Sequence, residues 1–72
     1  MMHIDIDLFD YVVKRAKTTR DAVASACDCN RNTLYRHLKN GSITVNEMHA
    51  IIAFLKLSWE DVVNIFFAKE SA

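Results

Sequence analysis

The chain has 72 residues, no proline and a single glycine, Gly41. A sheet-rich domain of this length needs several tight turns, each drawing on Gly, Pro or Asn-Gly backbone chemistry. The one Asn40-Gly41 step cannot supply them all. Helices need such residues only at their ends, so an all-α fold is expected. Apolar residues make up 51% of the chain and charged residues 25%, the balance of an ordinary globular protein. A chain this short buries only about 60% of the surface it exposes when unfolded. One core fits, whereas a core plus a deep substrate pocket is hard to build. A single domain over residues 1–72 is expected, with short flexible ends at 1–6 and 69–72.

Caps and apolar period mark five helices. The first is expected from about Leu8 to Lys17 with Asp7 as N-cap, carrying Leu8, Phe9, Val12, Val13 and Ala16 on one stripe. Thr18 or Thr19 caps a second, running to about Cys27 with Val23, Ala24 and Cys27 facing inward. Asn30 caps a third over 30–39, which Asn40-Gly41 stops because glycine enters the left-handed region without a Cβ penalty. Thr44 and Glu47 fit a capping box for a fourth, with Met48, Ile51, Ile52 and Leu55 inward. Ser58-Trp59-Glu60-Asp61 repeats that logic for a fifth. Five helices in so short a chain leave apolar residues over. Two readings of Trp59, Ile65, Phe66 and Phe67 stand: Trp59 and Phe66 pack on helices one and four, or Phe67 and its neighbours form a homodimer or partner seam.

The net charge is zero, but its distribution is polarised. From Tyr11 to Asn40, Lys14, Arg15, Lys17, Arg20, Arg31, Arg36 and Lys39 face only Asp21 and Asp28, a net +5. Residues 1–10 carry −3 and residues 41–72 carry −2. A basic middle between acidic ends points to an anionic partner or to a solvated face.

Several function classes fall away. The apolar run Ala50 to Leu55 is far shorter than the roughly 18–20 residues that span a bilayer. The opening Met1-Met2-His3-Ile4-Asp5-Ile6-Asp7 is acidic where a signal peptide is basic, so a cytoplasmic chain is expected. Cys27 and Cys29 sit too close together to staple a fold and lack a second pair to complete a zinc site, and they read as reduced, small core residues. No glycine-rich phosphate loop and no nucleophile–base spacing is present. No enzyme, metal or cofactor is expected.

The informative stretch is Thr19 to Lys39, TRDAVASACDCNRNTLYRHLK. Ala24 is small where two helices must cross closely. Val23, Cys27, Cys29, Leu34 and Leu38 hold the inner positions, and Arg31, Asn32, Tyr35, Arg36 and Lys39 project from the other faces of the third helix. Arg and Asn suit guanine and adenine edges, and Lys suits phosphate. With these residues, the chain resembles the Cro/CI-type (XRE-like) helix-turn-helix domain, from about Leu8 to Phe67. ITVNEMHAIIAFLKLSWEDV is similar to that family's fourth helix and the start of its fifth. LSWEDVVNIFFAKES is similar to small regulators from the switch regions of temperate phages of Gram-positive bacteria, among them the MOR type, short modulators of repression that act against a CI repressor. Asp28 stands where the family usually has glycine, and His37 where it usually has an apolar residue, leaving Leu38 for the inner contact.

The resemblance implies a compact five-helix domain with a helix-turn-helix over about 19–39, acting in a lysis–lysogeny switch in the bacterial cytoplasm. In one reading the chain is an antirepressor that binds the DNA-binding domain of a CI-type repressor and blocks operator binding. The zero net charge and the acidic residues Asp5, Asp7, Asp10, Glu47, Glu60 and Asp61 motivate it. In the other, the chain is a Cro-like repressor that binds operator DNA through the helix 30–39. Arg31, Asn32, Tyr35 and Arg36 then touch bases, with Lys39 and Arg20 on phosphates.

Overall fold

The computed structural model describes residues 3–67. They form five α-helices in chain order, α1 (Ile6–Arg15), α2 (Arg20–Ala26), α3 (Arg31–Asn40), α4 (Val45–Leu55) and α5 (Trp59–Phe66), and no strand. Each helix starts on an N-cap side chain that accepts a backbone N–H: Asp5, Thr19, Asn30, Thr44 and Ser58. Thr44 with Glu47 and Ser58 with Asp61 close reciprocal capping boxes, as their spacing predicts.

The first helix starts two residues earlier than expected. Both Asp5 and Asp7 can cap. The Asp5 N–H donates to the Ile65 carbonyl at 2.8 Å, which ties the chain to α5 and fixes Asp5 as the cap. The segment expected to be a flexible end is therefore anchored from Asp5 onward, while 69–72 lie outside the described residues. The second helix ends at Ala26, with Cys27 as its C-cap.

The first four helices share one mechanism of termination, whereas α5 ends on Phe67 at φ −129°. Lys17, Asp28, Gly41 and Lys56 all have positive φ, from 53 to 67°. At each, the next residue's N–H bonds back five residues, as in Thr18 to Val13, Cys29 to Ala24, Ser42 to His37 and Leu57 to Ile52. This closure satisfies carbonyls orphaned at a helix end. Gly41 was readable from sequence as such a stop, whereas the other three hold the left-handed conformation with a Cβ.

All five helices contribute to one core of Phe9, Val12, Val13, Val23, Ala24, Leu34, Leu38, Ile51, Leu55, Val62, Ile65 and Phe66. Burying each large aliphatic or aromatic member stabilises the fold by about 1.5–3 kcal/mol. α1 and α5 run in opposite directions, joined by the Asp5–Ile65 bond at one end and by Arg15 Nη2 to Asp61 Oδ2 at 2.8 Å at the other. α2 packs on α1, α3 and α4, so the connection 27–30 presents α3 at the surface of a rigid base. Of the aromatic surplus, Phe66 is fully buried and Phe67 half-buried, while Trp59 is 76% exposed and does not pack into the core. None of these helices is long and apolar enough to cross a membrane.

Candidate functional site

α3 is held by its inner side and leaves its outer side open. Leu34 and Leu38 are buried in the core. The Asn30 side chain accepts the Thr33 N–H at 2.8 Å and Gly41 closes the far end, so the helix presents its side chains from a fixed frame. Next to Leu38 in sequence, His37 Nδ1 lies 2.8 Å from Glu47 Oε2, while Glu47 Oε1 accepts the Thr44 N–H at 2.9 Å. Burial pushes the Glu47 carboxyl up, but the bonds from Thr44 and His37 outweigh it and hold the group below its ordinary range. The carboxylate thus stays ionised and accepts from an Nδ1 that carries the proton. His37 stands where an apolar residue was expected, and it serves as a polar pin between α3 and α4.

Arg31, Asn32, Arg36, Lys39 and Asn40 are exposed on the outer side. Asn32, Tyr35, Arg36, Lys39 and Asn40 line a shallow open groove of about 330 Å³. Among the described residues Arg36 and Lys39 pair with no acid, whereas Arg31 Nε lies 3.7 Å from Asp21 Oδ1, a loose contact between exposed groups.

The remaining two expected site residues, exposed Arg20 and half-buried Tyr35, are both engaged by Asp10. Arg20 Nη2 bonds Asp10 Oδ2 at 2.8 Å, and the Tyr35 hydroxyl donates to the other oxygen of the same carboxylate, Oδ1, at 2.5 Å. The Arg20 guanidinium also sits over the Tyr35 ring, 4.9 Å from its centroid, and the Tyr35 ring meets Phe9 edge-on at 5.9 Å. Burial, then the hydrogen bond to Asp10 and that carboxylate's charge, push the Tyr35 phenol well above its ordinary range. Tyr35 is therefore half in the packing of α1 and α3 and half in the groove wall.

The six expected residues thus divide. Asn32, Arg36 and Lys39 share the groove with Tyr35, Arg31 leans to Asp21, and Arg20 is locked to Asp10. Sequence reasoning missed Asp10 and Asp21 as partners in this surface, and it missed Asn40 in the groove. Each of the two acids stands ten residues before its arginine, a spacing with no meaning inside one helix, so no local pattern could have revealed the pairs.

Cys27 and Cys29 are half-buried and packed against the core. Burial, reinforced by Cys29 and Glu47, pushes the Cys27 thiol up to about 11, and burial raises Cys29 as well. Among the described residues no cluster of three or more His, Cys, Asp or Glu side chains is placed to hold a metal ion. Comparisons with protein-family models, curated proteins and solved structures return no match to this chain.

Proposed function

We propose that α2, the connection 27–30 and α3 form a helix-turn-helix of the Cro/CI type, and that the chain is an antirepressor of a temperate-phage switch. In this reading it docks on the DNA-binding domain of a CI-type repressor in the bacterial cytoplasm and keeps that domain off its operator. One observation carries the proposal: Asp10 occupies Arg20 beside α3, and Asp21 lies loosely against Arg31. A duplex-binding surface gains affinity by neutralising phosphates with free Lys and Arg. Here the groove retains only Arg36 and Lys39 for that task. The exposed acids Asp7 and Glu60 remain open to a basic partner, and a repressor's duplex-facing surface has that charge. The test is a labelled operator duplex bound by the CI-type repressor of the same phage, followed by anisotropy as this chain is added. Release of the duplex at near-stoichiometric chain is expected. An operator that stays fully bound under a large excess of chain refutes the reading.

The groove supports a second reading. Asn32, Arg36, Lys39 and Asn40 on one open helix face are chemically fit to contact base edges and phosphate, as in a Cro-like repressor. Arg36→Ala then costs about 1–3 kcal/mol at one base pair, while Lys39→Ala weakens all duplexes alike and lowers the salt slope by about one. Titration of duplexes by the unaltered chain across salt concentration separates the two readings.

A further inference from the structure

The Asp10 corner is more than a structural ion pair. Its carboxylate is gripped on both oxygens, by Arg20 Nη2 at 2.8 Å and by the Tyr35 hydroxyl at 2.5 Å. It also lines a small cleft of about 160 Å³ shared with Lys14, Thr18, Thr19 and Arg20. Without Asp10, that cleft holds two cations and two hydroxyl side chains between α1 and the start of α2, with the Tyr35 phenol of α3 reaching Asp10 from outside it. Arginine, lysine, threonine and tyrosine are the donors that position a nucleic-acid backbone. The corner is open to a larger anion, since the Arg20 side chain is 51% exposed.

We infer that Asp10 is an internal stand-in for a backbone phosphate, and that it sets what this chain binds by filling a site a DNA duplex would otherwise use. The inference rests on the helix-turn-helix reading, because the corner meets a duplex only if α3 faces one. A carboxylate delivered by the chain's own α1 is present at a high effective concentration, and α1 is fixed in place by Phe9, Val12 and Val13 in the core. A phosphate from solution must displace it and gains little by doing so. The arrangement places Arg20 where a duplex-binding protein needs a cation and then neutralises it.

The test uses the full chain and a random-sequence duplex, titrated by anisotropy at several salt concentrations. Asp10→Asn keeps an acceptor for the Tyr35 hydroxyl and removes the charge that holds Arg20. One added phosphate contact contributes about 0.9 to the slope of log K against log salt, which is an affinity gain of about fifteenfold near 50 mM salt and about fourfold near 200 mM. Asp7→Asn removes an equal charge from the same helix, and its smaller gain measures the general effect of charge. Arg20→Ala in the unaltered chain is expected to leave the slope unchanged, and in the Asp10→Asn chain to abolish the gain. A gain from Asp10→Asn no larger than that from Asp7→Asn overturns the inference. So does an Arg20→Ala change that already lowers the slope of the unaltered chain. A gain that appears but survives Arg36→Ala and Lys39→Ala puts the duplex away from α3, and then it is the helix-turn-helix reading that fails.

Discussion

Glu47 offers the sharpest test of how α3 is held. Its residue is 8% exposed, and its two carboxylate oxygens serve two different helices, Oε1 accepting the Thr44 N–H of the α4 cap and Oε2 meeting His37 of α3. Replacing it with alanine removes half of a capping box, which costs about 1 kcal/mol. It also removes a hydrogen bond to a charged acceptor, which costs about 1.5–3 kcal/mol and stands at the low end here because His37 remains partly solvated. Glu47→Ala is therefore expected to lose about 2–3 kcal/mol, a fall of about 10–20 °C in Tm for a domain of this size. Glu47→Gln retains the shape and one acceptor and loses about 1 kcal/mol.

The pH dependence has a definite sign. Glu47 titrates below its ordinary value in the folded state, so its contribution is complete above the unfolded carboxyl range, about pH 4.5, and disappears as pH falls through the lowered folded value. Urea unfolding of Glu47→Gln and the unaltered chain, followed by circular dichroism between about pH 7 and about pH 3, reads this directly. The gap between the two proteins is expected to close on the acid side. A double-mutant cycle with His37→Gln at neutral pH should return a coupling of about 1 kcal/mol. A neutral-pH loss under about 0.3 kcal/mol for Glu47→Gln, or a gap that persists undiminished at low pH, refutes the pin between α3 and α4.

Three further outcomes follow from named geometry. Lys56→Gly is expected to raise stability by about 0.5–1 kcal/mol, because Lys56 is exposed with φ 53°, and Asp28→Gly by less, because Asp tolerates the left-handed region better; urea midpoints check the order. Tyr35→Phe should cost about 1–2 kcal/mol through the lost bond to Asp10. The raised Tyr35 phenol adds stability that is complete below its unfolded value near pH 10 and is lost as pH rises beyond it, so the deficit of the variant should shrink only in strong base, as alkaline unfolding curves will show. Cys27, with its thiol pushed up to about 11, should react with iodoacetamide in the folded chain more than tenfold slower than in the urea-unfolded chain near pH 8, measured by mass spectrometry.

The helix starts were legible because a cap is a local device. Thr19, Asn30, Thr44 and Ser58 each act within three residues, through their own side-chain oxygens, and sequence alone locates the last three and narrows the first to Thr18 or Thr19. Asp5 shows where that logic ends. Two aspartates two residues apart are equivalent locally, and the choice between them is made by the Ile65 carbonyl, sixty residues away in sequence. Helix stops were less legible for a related reason. A left-handed closure is recognisable when glycine occupies it, as at Gly41, but Lys17 and Lys56 adopt it under the demand of packing on either side, with no residue type to announce it. The same limit applies to Trp59, whose type suggests burial, while its place at the first turn of α5 leaves it in solvent.

The candidate site was legible as a set of residue types and illegible as a field. Spacing put Arg31, Asn32, Arg36 and Lys39 on the open sides of one helix, and they are there. Counting charges along the chain gave a middle segment of net +5, which assumes that each charge acts where it stands in sequence. Long side chains do not obey that assumption. Asp10, counted with the acidic end, reaches Arg20 and Tyr35; Asp61, counted with the other acidic end, reaches Arg15. Each pairing moves negative charge onto the basic segment from outside it, so the folded surface is less basic than the sequence implies. What the α3 face retains is Arg36 and Lys39 with two asparagines around a shallow groove. Two free cations contribute a salt slope of only about two, where repressors that hold DNA alone make many more phosphate contacts. Under the proposed helix-turn-helix reading, the difference between a strong and a weak duplex binder lies in the acids that face its arginines, and Asp10 is the one that reaches Arg20 beside α3, at 2.8 Å.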